Sequence, residues 1–259
     1  MKSQQRIGGG RWQVEMQLCG NGDPLLYLHG AGGLIGVDPF LEELGKEFKV
    51  VAPHLPGYGE SSGEPIEDVI DACLFYHQLM DDLGIANAHV TGHSMGGMLA
   101  AELAAIDVHR IQKLVLVAPA GFWLEQHPIA DPFAMDLPEL AAHLFHDPKS
   151  PLAQMFTTIP TDSKQLADMY VERTKRLTQA SRFLWPIPDR GLKKRAWRIA
   201  APTLLVWGES DRLIPPVYAR EFANRIRNSR TATIKQAGHM LMYEQPEAFV
   251  RTVRDFLKN

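Results

Sequence analysis

Short apolar stretches alternate along the chain with longer stretches in which apolar residues recur every three or four positions. The short stretches are bounded by Gly or Pro, as strands buried on both faces of a parallel sheet are. They cover residues 24–28, 48–52, 89–91, 113–117 and 203–207, and residues 231–234 fit a last strand. Residues 12–18 alternate apolar with polar side chains, which predicts a half-exposed edge strand.

Helical periodicity fills the intervals between these strands. Apolar positions from Ile66 to Leu83 keep the spacing of an amphipathic helix, which Gly84 ends, and Pro246 opens a final helix. Strand–helix alternation predicts an α/β fold with a mostly parallel central sheet and helices on both of its faces.

One long region has no strand pattern. Residues 121–198 are rich in Pro, Met and aromatic side chains, with helical periodicity near 138–146 and 163–180. A structureless loop of this length is improbable in a compact domain. We therefore expect a main domain formed by residues 1–120 and 199–259, and a helical cap inserted at 121–198.

Composition and charge narrow the functional class. The 259 residues are 45% hydrophobic and carry a net charge of −3, which excludes a disordered chain and gives no electrostatic footprint for nucleic acid or membranes. Two cysteines exclude a disulfide framework and a four-cysteine zinc site. No apolar run of bilayer length and no signal-peptide pattern is present, so we expect a cytoplasmic protein with a small-molecule substrate and no cofactor. A homodimer remains open.

The strongest chemical signal lies in residues 92–96, which read Gly-His-Ser-Met-Gly and match the pattern G-x-S-x-G. An apolar strand precedes Ser94, and a strong helix former follows it. A sharp strand-to-helix turn forces such a serine into a strained conformation, and small neighbours prevent clashes. The plainer alternative is an ordinary tight turn with Ser94 as a helix cap.

A serine hydroxyl needs a base, and the base needs an orienting carboxylate. His239 follows the last predicted strand, and Asp211 follows the strand that ends at Trp207. Glu209 is a neighbouring alternative for the carboxylate, and Asp131 or Asp136 would have to reach the site from the cap. Ser94, Asp211 and His239 stand in chain order at the ends of three strands, which favours a catalytic set.

These residues, together with several loops, resemble those of the α/β-hydrolase superfamily in its capped group. The matching segments are Leu-His-Gly-Ala-Gly-Gly at 28–33, Pro-His-Leu-Pro-Gly-Tyr-Gly-Glu-Ser at 53–61, the turn at 92–97, Gly-Glu-Ser-Asp at 208–211 and Gly-His at 238–239. The resemblance implies that Ser94 is the nucleophile, His239 the base and Asp211 the acid. It also implies an oxyanion hole formed by the backbone N–H groups of Ala31 and Met95.

The loop after the first buried strand has a competing interpretation as a dinucleotide site. The pattern G-x-G-x-x-G would need a third glycine where Ile35 stands, and no acidic residue ends the following strand. The loop therefore fits oxyanion binding better. No metal-ligand spacing such as HxH, HExxH or CxxC occurs.

The family resemblance also limits the reaction. Haloalkane dehalogenases and epoxide hydrolases of this superfamily use Asp at the nucleophile position, where this chain has Ser94. Carbon–carbon hydrolases of ring-cleavage products usually carry Asn before the serine and Trp after the histidine. Here His93 and Met240 stand at those places. Hydrolysis of an ester or lactone by way of an acyl-serine is therefore preferred, with carbon–carbon hydrolysis as the alternative.

The cap is more apolar than a solvated insertion needs, which predicts a pocket for a small to medium, largely apolar or aromatic substrate. The candidate substrate-binding residues are Trp123, Phe133, Phe145, Trp185 and Met240. Arg173, Arg176 and Arg182 are candidates to meet a substrate carboxylate, or are exposed cap residues. A small-molecule receptor built on the same fold is a third alternative for the whole chain.

Overall fold

A computed structural model describes residues 2–36, 38–187 and 189–259. The strands are β1 (Lys2–Ile7), β2 (Trp12–Cys19), β3 (Pro24–Leu28), β4 (Lys49–Pro53), β5 (Ser62–Gly63), β6 (Ala88–His93), β7 (Ile111–Val117), β8 (Thr203–Gly208) and β9 (Ser229–Ile234). The first helices are α1 (Pro39–Leu44), α2 (Val69–Asp82), α3 (Met95–Ile106), α4 (Leu137–Leu144) and α5 (Pro151–Thr157). The others are α6 (Ser163–Leu184), α7 (Leu192–Arg195), α8 (Val217–Ala223), α9 (Leu241–Glu244) and α10 (Pro246–Lys258).

The strands form one sheet in the order β1-β2-β4-β3-β6-β7-β8-β9, with β5 paired to β2. In this sheet order, the neighbouring strands from β4 to β9 all run parallel to each other. The pairs β1–β2 and β2–β4 are antiparallel. This arrangement confirms the predicted α/β fold with a mostly parallel sheet.

The amino-terminal side of the sheet differs from its prediction. β2 is not an edge strand, because β1 pairs with it on one side and β4 on the other, and most of its side chains are buried. The edge is β1, whose sequence Lys-Ser-Gln-Gln-Arg-Ile has a single buried residue. Edge strands tolerate polar side chains on both faces, so β1 lacks the apolar pattern by which the other strands were found.

Two apolar cores cover the two faces of the sheet. Along β7, Leu114 and Leu116 enter the core that contains α2 and α3, whereas Val115 and Val117 enter the core that contains α1 and α10. This alternation is the period of two that a strand imposes on its side chains. A central strand buried on both faces therefore reads as a continuous apolar run, as residues 114–117 do.

The chain leaves the sheet after Val117 and returns to it at Thr203. In the described residues between these points lie α4, α5, α6 and α7 and no strand. We call residues 121–198 the cap segment; its division from the rest of the chain as a domain remains a prediction. No helix in the described ranges has the length and apolarity needed to cross a bilayer.

Candidate active site

Ser94 occupies a strained backbone turn between β6 and α3. Its φ of 54° and ψ of −117° lie outside the regions that a serine normally occupies. The turn is held by Ser94 N–H, which donates to the Val117 carbonyl at 2.9 Å, and by the Ser94 carbonyl, which accepts from the N–H groups of Met98 and Ala120 at 3.0 Å. A strained conformation of this kind persists where the surrounding structure fixes it, often at functional sites.

The glycines around Ser94 are required by close backbone approach. A Cβ on Gly92 would stand 2.2 Å from the Gly96 carbonyl oxygen. A Cβ on Gly96 would stand 2.1 Å from the Leu28 carbonyl oxygen, at the end of β3. The small residues of the motif therefore let β3, β6 and α3 meet directly beneath Ser94.

His239 and Asp211 form a buried pair. The His239 Nδ1 lies 2.8 Å from the Asp211 Oδ2, and both residues are less than 5% exposed. Because a carboxylate oxygen accepts, Nδ1 carries the hydrogen and Nε2 is left bare as an acceptor. The other carboxylate oxygen, Oδ1, accepts from the N–H groups of Leu213 and Ile214 at 3.0 and 2.9 Å, so the backbone fixes the carboxylate.

The three alternative carboxylates lie elsewhere. Glu209 Oε2 accepts from the Gln236 N–H at 3.3 Å at the surface. Asp131 closes a turn by accepting from the Phe133 N–H at 2.9 Å, and Asp136 caps α4. Asp211 is therefore the candidate that the fold brings to His239.

A second histidine, His93, packs beside His239. The two ring centroids are 4.7 Å apart, and His93 Nε2 donates to the His239 carbonyl at 3.0 Å. Burial, and next the charge of His239, hold the pKa of His93 well below its usual value. His93 is therefore a neutral ring that anchors the backbone of His239. Sequence reasoning missed this role, although the position next to Ser94 could have suggested it.

A third histidine fixes the loop that follows β3. His29 Nδ1 donates to the Gly30 carbonyl at 2.8 Å, and its Nε2 accepts from the Leu55 N–H at 3.2 Å. Burial, followed by the charge of His54, lowers the pKa of His29 to about 3. The neutral ring therefore serves as a rigid bridge between the Gly30 loop and the loop after β4.

The two predicted oxyanion donors belong to α3 and to the Gly30 loop. Met95 is the first residue of α3, so its N–H has no acceptor within the helix. Ala31 lies on the Gly30 loop and lines the same cavity as Ser94. A Cβ on Gly30 would be 3.0 Å from His93 Nδ1 and 3.4 Å from the Ser94 Cβ, which shows how closely this loop approaches the serine.

The cap segment is tied to the loop that carries His239. The Glu244 carboxylate accepts from the N–H groups of Gly238 and His146, each at 2.7 Å. Arg212, next to Asp211, donates to the Phe145 carbonyl at 3.0 Å. These bonds couple the position of the cap segment to that of the base.

Between the sheet and the cap segment lies a cavity of about 490 Å³. Ser94, His93 and His239 line it from the sheet side. Apolar residues of the cap segment line the other side, namely Phe122, Ile129, Pro132, Phe133, Leu137, Leu140, Leu144, Phe156, Met169, Leu177, Phe183, Leu184 and Ile187. Most of these were missed from the sequence, although the amphipathic pattern of α4 and α6 was the signal that could have identified them.

The structure brings two of the five predicted substrate-binding residues into this lining, Phe133 and Met240. Phe145 is buried with its ring against Phe156, and Trp185 is half exposed with its edge against Phe133. Trp123 lies half-buried outside the lining.

The cap side also carries charge. Arg173, Arg176 and Arg190 line the cavity together with Glu172. Arg182 does not line it and pairs with Glu67 at 3.5 Å instead. Within the described ranges, no group of three His, Cys, Asp or Glu side chains is arranged to hold a metal ion.

Comparison with known proteins gives the family. The sequence pattern of the alpha/beta hydrolase fold matches residues 23–246. A 2-hydroxy-6-oxo-6-phenylhexa-2,4-dienoate hydrolase of Burkholderia cepacia is 25% identical, over 97% of this chain and 93% of the relative. Lipase 3 of a Moraxella species is 30% identical, over 86% of this chain and 73% of the lipase. An esterase structure from Exiguobacterium antarcticum superposes with a TM-score of 0.81 at 19% identity and covers both chains fully.

Proposed function

We propose a specific reaction for this chain, which belongs to the alpha/beta hydrolase family: hydrolysis of a carboxylic ester with an apolar body, through an acyl-serine. The chain is a hydrolase of that fold. The observation that carries the proposal is the buried His239–Asp211 pair, of which His239 lines the same apolar cavity as a strained Ser94.

In the first half of the reaction, Ser94 Oγ attacks the ester carbonyl carbon while His239 Nε2 takes the hydroxyl proton. Asp211 holds the imidazole in the tautomer that leaves Nε2 free and stabilises the imidazolium that forms. The N–H groups of Met95 and Ala31 stabilise the oxyanion. One such donor is worth roughly 10²- to 10³-fold in rate.

The first half ends when His239 gives its proton to the departing alkoxide, so the alcohol leaves and an acyl-serine remains. The second half releases the acid. Water then enters, gives a proton to His239 Nε2 and attacks the acyl carbon. Collapse of the second tetrahedral intermediate returns the proton to Ser94 Oγ.

The test is hydrolysis of p-nitrophenyl hexanoate by the wild type and by Ser94→Ala, with an alkyl fluorophosphonate as an independent active-site label. We expect release of nitrophenol by the wild type, phosphonylation at Ser94 detected by mass spectrometry, and loss of at least about 10⁴-fold in kcat for the variant. Wild-type-like turnover by a folded, pure Ser94→Ala protein would refute the proposal.

A second candidate is carbon–carbon hydrolysis, which the 25% identical dienoate hydrolase supports across almost the whole of both chains. Against it stand His93 and Met240, where that group usually has Asn and Trp. Turnover of 2-hydroxy-6-oxo-6-phenylhexa-2,4-dienoate with a kcat/KM above that for any p-nitrophenyl ester would favour this candidate instead.

A further inference from the structure

The charged side chains of the cavity all belong to one helix, α6, or to the segment just after it. Two of the arginines have their donors engaged: Arg173 donates to the Met135 carbonyl at 3.0 Å, and Arg190 donates to the Trp185 carbonyl. The Glu172 carboxylate is held by Lys175 Nζ at 2.9 Å. Each of these groups thus has a partner within the cap segment.

Arg176 is different. It is half-buried and lines the cavity, and in the part of the chain that the structure describes its guanidinium neither pairs with a carboxylate nor donates a hydrogen bond. A guanidinium facing an apolar cavity is incompletely solvated. It binds a carboxylate well, because its planar donors match two oxygens at once.

The position of this charge relative to the sheet side can be read from its neighbours. Tyr58 OH donates to the Arg176 carbonyl at 3.2 Å, and the Tyr58 ring packs edge-on against His29 at 4.5 Å. Burial lowers the pKa of both His29 and His54, and the positive charge of Arg176 lowers both further. Arg176 therefore lies near Tyr58 and His29, which border the loop that carries Gly30 and Ala31.

We propose that Arg176 forms a carboxylate-binding subsite, so that the substrate is an ester whose apolar body also carries a free carboxylate. This inference rests on the proposed ester hydrolysis and specifies its substrate class.

Two esters with the same acyl chain length test the inference: mono-p-nitrophenyl adipate, which carries a carboxylate, and p-nitrophenyl hexanoate, which does not. We expect the wild type to prefer the adipate ester in kcat/KM. In Arg176→Gln we expect a loss of roughly 10- to 100-fold on the adipate ester, and a change below about 3-fold on the hexanoate ester, because only the former loses a charge-assisted hydrogen bond.

Arg182→Gln is the matched control, because it removes the same charge from the same helix at a position that pairs with Glu67 outside the cavity. We expect this variant to keep the preference of the wild type. We expect Arg176→Lys to recover part of it, since the charge is retained and the planar fork is lost.

Direct binding separates failure of this inference from failure of the proposed reaction. In Ser94→Ala, which cannot form an acyl-serine, monomethyl adipate should bind at least about 10-fold more tightly than methyl hexanoate, and the additional Arg176→Gln change should abolish the difference. Equal binding of the two esters overturns the subsite, whether or not the wild type turns over p-nitrophenyl esters. Cleavage of the hexanoate ester without a preference for adipate overturns the subsite alone.

Discussion

The sheet side of the cavity and its cap side differ in what fixes each wall. On the sheet side the positions are set by the backbone, because Gly92 and Gly96 let strands and helix meet. Backbone hydrogen bonds to β7, to α3 and to Ala120 hold Ser94 at its positive φ. On the cap side, α6 has only three buried side chains in 22 residues. The cap wall is therefore made by side chains that can change without disturbing the helix that carries them.

The two walls also differ in charge. His29 and His93 on the sheet side are buried and neutral, with low pKa values caused mainly by burial. The arginines of the cavity lie on the cap side. This separation suggests that the sheet side supplies the chemistry and the cap side the selectivity. Substitutions on the sheet side should thus reduce turnover of every substrate, and substitutions on the cap side should change the preference among substrates.

The largest effect after loss of Ser94 itself is expected for Asp211→Asn. The amide presents a donor to His239 Nδ1 and favours the wrong tautomer of the base, so kcat should fall about 10⁴-fold on every ester. Glu209→Gln is the matched control, because it makes the same kind of change two residues away, at the surface. Comparable losses in the two variants would contradict the assignment of Asp211, and so would a loss that varies with the ester.

The neutral sheet side predicts a loss of stability in acid. Folded His29 takes up a proton only near pH 3, whereas a histidine in the unfolded chain does so near pH 6.5, so the unfolded state binds more protons between these values. Stability falls as the pH drops through this window. From pH 7 to pH 5 the contribution of His29 to the free energy of unfolding should fall by about 2 kcal/mol.

Urea unfolding at the two pH values, with the wild type and His29→Gln, isolates this contribution, because the other histidines are common to both proteins. The variant should be less stable at pH 7 but should lose about 2 kcal/mol less between pH 7 and pH 5. The same acid sensitivity in both proteins would show that His29 is not held neutral.

The two sides also differ in how far the sequence predicts them. The central strands were found because burial on both faces makes them continuous apolar runs between glycines and prolines. The residues of the turn at 92–96 were recognisable because the close approach measured at Gly92 and Gly96 allows only glycine there. Edge strand β1 escaped detection because a strand paired on one side needs no apolar pattern.

For the cap side of the cavity, the sequence predicts an apolar lining but not which residues form it. The helical period of α4 and α6 indicates an apolar face, but which residues of that face reach the cavity depends on how the helices sit on the sheet. Phe145 packs against Phe156 within the core, and only the latter lines the cavity. Phe145 directly follows α4 and Phe156 lies in α5. Which of the two rings reaches the cavity depends on how these helices pack on the sheet, and the sequence pattern does not give that packing.

The smallest expected effect is the contrast between Phe133 and Trp123. Both are aromatic residues of the cap segment that the sequence predicts to bind substrate. Phe133 lines the cavity and packs against Trp185, whereas Trp123 lies outside the lining. Phe133→Ala should raise KM for p-nitrophenyl hexanoate by roughly 10-fold with little change in kcat, because it removes apolar contact that ground state and transition state share. Trp123→Ala should change KM by less than about 2-fold, because the Trp123 side chain does not line the cavity and its loss removes no contact with the substrate. Steady-state kinetics on both variants measures the difference, and equal KM values for the two would mean that the cap segment does not close over the substrate as the cavity implies.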